Sequence, residues 1–591
     1  MASNDICMTG VITDDNFVVY DRYHNNMNTP AQLVRKSPGD IADALLIKYG
    51  PDGRFKWSAQ MSGTYVDVGY SNAMDAQGNV YTAGYFSDVS LNVYQGSSGA
   101  QSSSVLAATL MPNDMSYNNA YLLRYKNNGT YDWGVTAGPN IYTDNGRKHL
   151  IHTALSSSNH VYLTAAFSGP TTYLYNDSDM SICYINQYDS SMNINVLLAK
   201  YDADSTLHWV ARVDGPTDNL LRNSVTVDAL DNTYLTMLYR DVSGQSMYVY
   251  NGMPSPGEKG QMDADASLNL FVQGSEVPFE PHTEGVIVKY NYAGLYQWAL
   301  QIGIQQQWGS IKMTTALDGS IYVTGNLDSN FPAGNIQFYD AKTSGSVNGP
   351  VITITNVQNL LDRYNMFVAK YSADGLCQWV NIMSGVNADE ENGGPFIGSY
   401  GIAVDSHGNC FTTGYFEDKF VVYDRYMRNY NGVAKNTPLA TLMSHRAPDL
   451  GTWNGVNHNG YVISFDANGL FRWVVQMYND NVRGYDVAVD VNNQVVVSGY
   501  FGYWRQSLYI TDPLPFQYPL NSQPLNVNSY TMRHVGANGS DNYNYFIVKL
   551  TNKGKLVWGV QMGVTKLDND LNTNYTTNSI ATNNVSPKRD V

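Results

Sequence analysis

Few side chains in this chain of 591 residues are spaced as chemistry would need them. His149 and His152 are close neighbours, but a three-residue step along a strand sends side chains to opposite sheet faces, which argues against shared metal ligation. Asp202 with Asp204, and Asp177 with Asp179, offer oxygen ligands to calcium, yet neither pair has the full spacing of a calcium loop, and Asp is also a standard turn residue. Calcium is therefore the one cofactor the sequence leaves open. Asp389, Glu390 and Glu391 could supply an acidic pair for glycoside hydrolysis, which needs two carboxylates facing across a substrate. Adjacent carboxylates in a Gly-flanked loop read instead as solvated charge. Cys7, Cys183, Cys377 and Cys410 are scattered without CxxC spacing, which excludes structural zinc and a disulfide framework and points to buried thiols. No P-loop, Rossmann glycine fingerprint, HExxH or Gly-x-Ser-x-Gly elbow is present, so no catalytic, cofactor-binding or metal residue is assigned.

Composition narrows the partners. With 35 basic against 51 acidic residues the net charge is −16, which repels phosphate backbones and anionic membranes and excludes nucleic acid as a partner. No stretch of about 18 uninterrupted apolar residues occurs, so no membrane-spanning helix is expected. The start MASNDICMTGVITDD lacks the basic leader and apolar run of a secretory signal. Charged residues make up only 15%, while Tyr numbers 46 and Gly 51, a surface suited to aromatic and hydrogen-bonding recognition of a protein or a glycan.

One phrase recurs seven times: an apolar strand, usually a Lys, an aromatic, a Gly turn and a Trp. The copies end at Trp57, Trp133, Trp209, Trp298, Trp379, Trp473 and Trp558. In each the Trp lies nine residues after the position held by Lys48, Arg124, Lys200, Lys289, Lys370, Ser464 or Lys549. Because this basic position repeats with the unit rather than with any loop, it is read as structural. A second phrase sits between the Trp copies, as in YGIAVDSHGNCFTTGYF from Tyr400 and YDVAVDVNNQVVVSGYF from Tyr485. Runs of Val, Tyr, Thr and Phe bounded by Asp, Asn and Gly turns are antiparallel strands, four per repeat, and helical periodicity is absent.

The repeats predict an all-β, seven-bladed β-propeller of four-stranded antiparallel blades. Blade 1 comprises 6–61 with 575–591, followed by 70–137, 149–213, 222–302, 311–383, 400–477 and 485–562. The first blade opens on a second-strand phrase, ICMTGVI from Ile6, and NSIATNNV, from Asn578 to Val585, matches the missing inner strand. The C-terminal strand is thus expected to pair with the N-terminal blade and close the ring, leaving no exposed edge inside it.

The motifs Ala403 to Asp405, Gly408 to Gly414 and Phe367 to Trp379 resemble the seven-bladed β-propeller repeat (SBBP-type) family, found in bacterial surface proteins and large DNA viruses. The resemblance spans nearly the whole chain and implies a binding or structural module with no catalytic residue set. Ser205 in place of the turn Gly, Ser464 in place of Lys, and large insertions depart from the pattern.

The turns such as PDGR at Pro51 and SHGN at Ser406 are short, whereas the second-to-third connections run long, as from Arg240 to Glu284 and from Glu417 to Asn459. One face therefore carries the elaboration and is the candidate binding face. Most insertions hold a short strand phrase (at Leu91, Thr172, Met247, Ile336, Phe420 and Leu508) expected to extend the blades as hairpins. Trp308, Trp453 and Trp504 fall outside the repeats on that face, as an aromatic platform for a ligand or as anchors of the long loops. The functional reading is a non-enzymatic binding or structural propeller on a virion or cell exterior. The alternatives are a carbohydrate-active hydrolase or lyase with its site at the channel mouth, and an intracellular assembly scaffold.

Overall fold

The structure is a computed structural model. It describes residues 4–12, 17–22, 31–33, 42–99, 104–111, 118–138, 141, 151–168, 171–175, 183–186, 194–215, 223–240, 247–254, 268–270, 283–303, 311–328, 336–341, 350–355, 364–386, 397–417, 419–435, 437–444, 458–478, 481–502, 508–513, 530–532, 544–564 and 579–582. Among these, every regular element is a strand.

The Trp phrase folds as a hairpin whose register its spacing fixes. Lys48 stands opposite Trp57 in the pair Asp43–Tyr49 and Phe55–Ser62, and a β-bulge follows immediately, between Lys48 and Tyr49. The same bulge follows Arg124, Lys200, Lys289, Lys370, Ser464 and Lys549. Each tight turn needs one residue with positive φ, supplied by Gly53, Gly129, Gly294, Gly375, Gly469 and Gly554. In the third repeat Ser205 holds the position at φ 73°, where an L side chain is strained.

The described strands form seven sheets. In one of them Asp67–Met74, Val80–Phe86, Asn119–Tyr125 and Tyr131–Gly138 run as an antiparallel meander. In another, Ser579–Thr582 pairs antiparallel with Ile6–Ile12, placing Thr582 opposite Ile6 and Ser579 opposite Thr9.

The short strands of the insertions do form hairpins, but each adds to the sheet of the preceding repeat. Leu91–Tyr94 pairs with Phe55–Ser62, Thr171–Tyr175 with Tyr131–Gly138, and Met247–Val249 with Leu207–Gly215. Ile336–Phe338 pairs with Tyr296–Gly303, Lys419–Tyr423 with Cys377–Val386, and Leu508–Ile510 with Phe471–Tyr478. Phe17–Val19, near the N-terminus, joins Leu556–Val564 near the C-terminus. Every sheet thereby grows to six or seven strands; in six of them the added hairpin comes from the next repeat along the chain, and in the last it comes from the N-terminal segment.

Sheet-to-sheet contacts reuse the repeated residues. The indole N–H of Trp57 donates to the Asn127 carbonyl at 2.9 Å, Trp133 to Ala203 at 2.8 Å, and Trp209 to Tyr292 at 3.2 Å. Trp379 donates to Ala467 at 3.2 Å, Trp473 to Asn552 at 3.0 Å, and Trp558 to Pro51 at 3.0 Å. Each acceptor lies in the tight turn of the next sheet, and the last donor returns to the first sheet's turn. The recurring cation commonly shares that carbonyl: Lys200 reaches Tyr292, Lys370 Ala467 and Lys549 Pro51. For Trp298 the step is made by Lys289, whose ammonium donates to the Ala373 carbonyl at 2.9 Å. Where Ser464 replaces the Lys, Arg472 on the facing strand donates to its hydroxyl at 3.0 Å and lies 6.0 Å over Phe411, as Lys370 lies over Tyr322. Cation and aromatic are thus retained although the Lys is not.

Packing follows the same order. Cys7, Leu46 and Trp57 bury against Val80, Tyr121 and Leu123, whereas Met8, Leu45 and Ile47, from the other face of their sheet, bury against Ile547, Trp558 and Val560. The first sheet therefore has one face on the second sheet and the other on the last.

Candidate functional site

The first strand of each sheet lines a cavity of about 450 Å³. The register places Ser71, His152, Ser224, Lys312, Gly401, Asp486 and Ser579 on one level, opposite Ala83, Thr164, Thr236, Thr324, Thr413, Ser498 and Thr9 of the adjacent strands. Two residues further on, Ala73, Ala154, Thr226, Thr314, Ala403, Ala488 and Ala581 border the same space. Their small side chains keep the lumen open, and this explains the Ala in the second sequence phrase.

The level that holds His152, Lys312 and Asp486 carries the cavity's mixed charge at that end. Asp486 accepts the N–H of Ile580 at 3.0 Å and that of Val487 at 3.0 Å, so it also fastens the C-terminal strand. Burial pushes its carboxyl up, while the Lys312 ammonium and the two N–H groups oppose that rise. At the opposite end Asp228 and Asp405 belong to the tight turns: Asp405 accepts the N–H groups of His407 and Asn409, each at 2.9 Å, and the Asn409 amide at 2.8 Å.

Beside the cavity, where two first strands begin, lies a cluster that the sequence reading did not single out. Tyr400 and Tyr485 occupy the β-bulges of Ile397–Val404 and Val482–Val489 and stack at 5.0 Å and 7°. Tyr415 continues the stack on one side and Tyr500 on the other. The Arg483 guanidinium lies 4.3 Å over Tyr415 and reaches Nδ1 of His458 at 3.2 Å. His458 in turn contacts the Glu417 carboxylate through Nε2. Burial holds the His458 imidazole below its ordinary range; Glu417 opposes that effect and the Arg483 charge reinforces it. Nδ1 of His458 also lies 2.9 Å from Asn481 Oδ1, so the ring sits between the Glu417 carboxylate at Nε2 and the Asn481 amide and Arg483 guanidinium at Nδ1. The signal in the sequence is Tyr at both bulges, but Arg483, His458 and Glu417 come from three separate strands and strand ends, with no shared spacing.

Of the sequence candidates, Trp308, Trp453 and Trp504 lie outside the described residues, as do His149, Asp177, Asp179, Asp389, Glu390 and Glu391. Asp202 is a turn residue: its Oδ1 accepts the N–H of Asp204 at 3.1 Å and of Thr206 at 3.0 Å. Among the described residues no group of three or more His, Cys, Asp or Glu side chains is placed to hold a metal, and no helix is long and apolar enough to cross a membrane. Cys7, Cys377 and Cys410 are buried, unbridged thiols, each pushed up to about 12 chiefly by burial.

No family model matches the chain. It is 24% identical over 499 residues to a WD repeat-containing protein of Acanthamoeba polyphaga mimivirus, a match that covers 81% of this chain and 33% of that protein. The chain thus spans about a third of that relative's length. This likeness and the all-β sheets suggest a β-propeller repeat chain. Among solved structures, the leech intramolecular trans-sialidase is 10% identical with a TM-score of 0.16, over 96% of this chain and 94% of that one. The NanB sialidase from Streptococcus pneumoniae is 9% identical with a TM-score of 0.15, over 96% and 95%. Scores this low carry no argument about fold or chemistry.

Proposed function

We propose that the chain is a closed seven-bladed β-propeller of the SBBP type, in which the four repeat strands of each blade keep the repeat boundaries while each insertion hairpin joins the preceding blade, and that it acts as a non-enzymatic binding or structural protein engaging a protein or glycan through the long connections of one face. Supporting the ring are the seven sheet-to-sheet steps, the last returning to the Pro51 turn, and the pairing of Ser579–Thr582 with Ile6–Ile12. The observation that carries the functional reading is the use of the long connections: each spends a strand pair on widening the neighbouring sheet, which enlarges a surface. The likeness to a WD repeat-containing protein of a virus supports a binding or scaffold role and fits a virion setting. Trp308, Trp453 and Trp504 are the proposed ligand contacts.

The test is affinity capture from the particle or cell fraction in which the protein resides, run beside a glycan array and a polysaccharide panel. Stable capture of one protein or glycan without turnover supports the reading. Polysaccharide turnover that is lost in Asp486→Asn favours instead an enzyme at the cavity, the second reading suggested by Asp486, His152 and Lys312 on one level. If capture persists unchanged after Trp308, Trp453 and Trp504 are all replaced by Ala, the tryptophan platform is excluded.

A further inference from the structure

One copy of the recurring cation stands among groups that can react with it. In the sheet that contains Ile6–Ile12, the Lys48 ammonium donates to the side-chain Oδ1 of Asn127 at 2.6 Å and to the Gly78 carbonyl at 2.6 Å, and the Asp5 carboxylate lies 3.1 Å away. The side chains of Lys48 and Asp5 are wholly buried. Lysine donates and never accepts, so the Asn127 carboxamide must turn its oxygen toward the amine. Asn127 is itself held from both sides, its N–H donating to Asn79 Oδ1 at 3.1 Å and its carbonyl accepting the Trp57 indole at 2.9 Å. Gly78 makes the room, since a Cβ there would lie 2.9 Å from Asn127 Cγ. Lys56 holds the other oxygen of Asp5 at 2.6 Å and fixes the carboxylate beside the amine.

No other described copy of the repeat combines these three groups. The turn residue in the place of Asn127 is Ala203, Tyr292, Ala373, Ala467, Asn552 or Pro51. Of these only Asn552 has a carboxamide, and it serves the sheet in which Ser464 replaces the Lys. The residue in the place of Asp5, just before the second strand, is Asn79, His160, Asn232, Ser320, Asn409 or Gln494, never a carboxylate. In the sheet of Asp5 alone no turn leads into that strand, because its first strand is Ser579–Thr582.

A buried amine, a carboxamide and a carboxylate in contact are the reactants and the proton relay of an intramolecular transamidation. We propose that Lys48 and Asn127 form an isopeptide bond that staples the first sheet to the second, with Asp5 relaying the protons. The Asp5 carboxylate takes a proton from the ammonium, and the freed lone pair of Nζ forms a bond to Asn127 Cγ. The Cγ–Nδ2 bond then breaks, its electron pair leaving on nitrogen. The two protons that Nζ gives up pass by way of Asp5 to the leaving nitrogen, which departs as ammonium, while Nζ keeps the third. A C=O bond is about 1.23 Å long, so Nζ lies within about 3.8 Å of Cγ, close to the separation of about 3 to 3.5 Å from which held groups react. Burial lowers the Lys48 ammonium below its ordinary range, with Asp5 opposing, so the neutral amine is easier to form than on a surface lysine.

The experiment is intact-mass spectrometry of the folded full chain, followed by proteolysis and fragmentation. The expected result is a chain lighter than its sequence by one ammonia, with the loss carried by a branched peptide that joins residues 48 and 127. Lys48→Met and Asn127→Ala should both restore the sequence mass, and since Asn127 is exposed the second variant keeps the fold. Asn127→Asp should give the same linkage with loss of water in place of ammonia. In Asp5→Asn both partners remain, but the linked fraction soon after synthesis should fall by about tenfold or more. A folded wild-type chain at its full sequence mass overturns the proposal. So does an ammonia loss that survives Asn127→Ala, or one that maps to an unbranched peptide, such as a cyclised Asn128–Gly129 step. A bond that forms equally fast in Asp5→Asn overturns the relay.

Discussion

The pair Trp558→Phe and Trp298→Phe tests whether the indole N–H groups hold neighbouring sheets together. Both indoles are buried, 3% and 6% exposed, and both substitutions remove the same ring area, so the packing loss is similar. They differ in one atom. Trp558 Nε1 donates to the Pro51 carbonyl at 3.0 Å, whereas Trp298 Nε1 is buried with no hydrogen-bond partner among the described residues. Losing the first bond costs about 1 kcal/mol, tempered because Lys549 still donates to that carbonyl. Removing the second N–H relieves about 1 kcal/mol or more of unrepaid desolvation. Trp558→Phe should therefore be about 2 kcal/mol less stable than Trp298→Phe in equilibrium urea unfolding followed by circular dichroism. Hydrogen exchange in the 51–54 turn should quicken only in the first variant. Equal stability losses, with unchanged exchange at that turn, would refute the idea that these N–H groups bind sheet to sheet.

Replacing Ser205 by Gly should stabilise the chain by roughly 0.5 to 1 kcal/mol, since it relieves the strain at φ 73° at a smaller cost in unfolded-chain entropy; a loss of stability on thermal unfolding would contradict this. Gly294→Ala, at the matching turn of the next sheet, should destabilise by about 2 kcal/mol or more, because its Cβ would lie 2.7 Å from the Trp209 ring in a backbone with φ of +80°. Lys549→Met strands the Asp490 carboxylate, whose side chain is 0% exposed and 2.8 Å from the ammonium, and should cost about 3 kcal/mol. Adding Asp490→Asn should recover part of that loss, and a simple sum of two losses would argue against the pairing. His458 is held below its ordinary range in the fold, so the unfolded chain takes up the proton first. Its contribution to stability is complete above about pH 6.5 and drains away as pH falls toward the depressed folded value, a slope that His458→Gln should flatten. The Cys7, Cys377 and Cys410 thiols should resist an aromatic disulfide reagent until denaturant is added; native-state reaction of more than one thiol per chain would show that their burial is wrong.

The nine-residue step from Lys to Trp could be read in the sequence because it is register made visible: it spans one tight turn and one bulge, and both recur with the repeat. The phrases near Leu91, Met247 and Phe420 were legible as strands for the same reason of local composition. Their destination was not. Alternation says that a segment is extended, but not which edge accepts it, and the accepting edge is the preceding sheet's last strand. The join of Arg483, His458 and Glu417 was equally hidden, because each is met once and the periodic reading favours what repeats. Ser464 looked like a lost cation, yet Arg472 on the facing strand restores it, a compensation that only the cross-strand pairing displays.

Lending each outer strand pair backward along the chain means that a repeat cut at its sequence boundaries is not a building block. Like courses of roof shingles, every unit is fastened by the one laid over it, so excising or duplicating a single repeat would leave one neighbour stripped of its margin and another with a surplus flap. Lengthening or shortening such a chain by whole repeats therefore demands cuts offset from the visible period, made between a donated pair and the third strand that follows it.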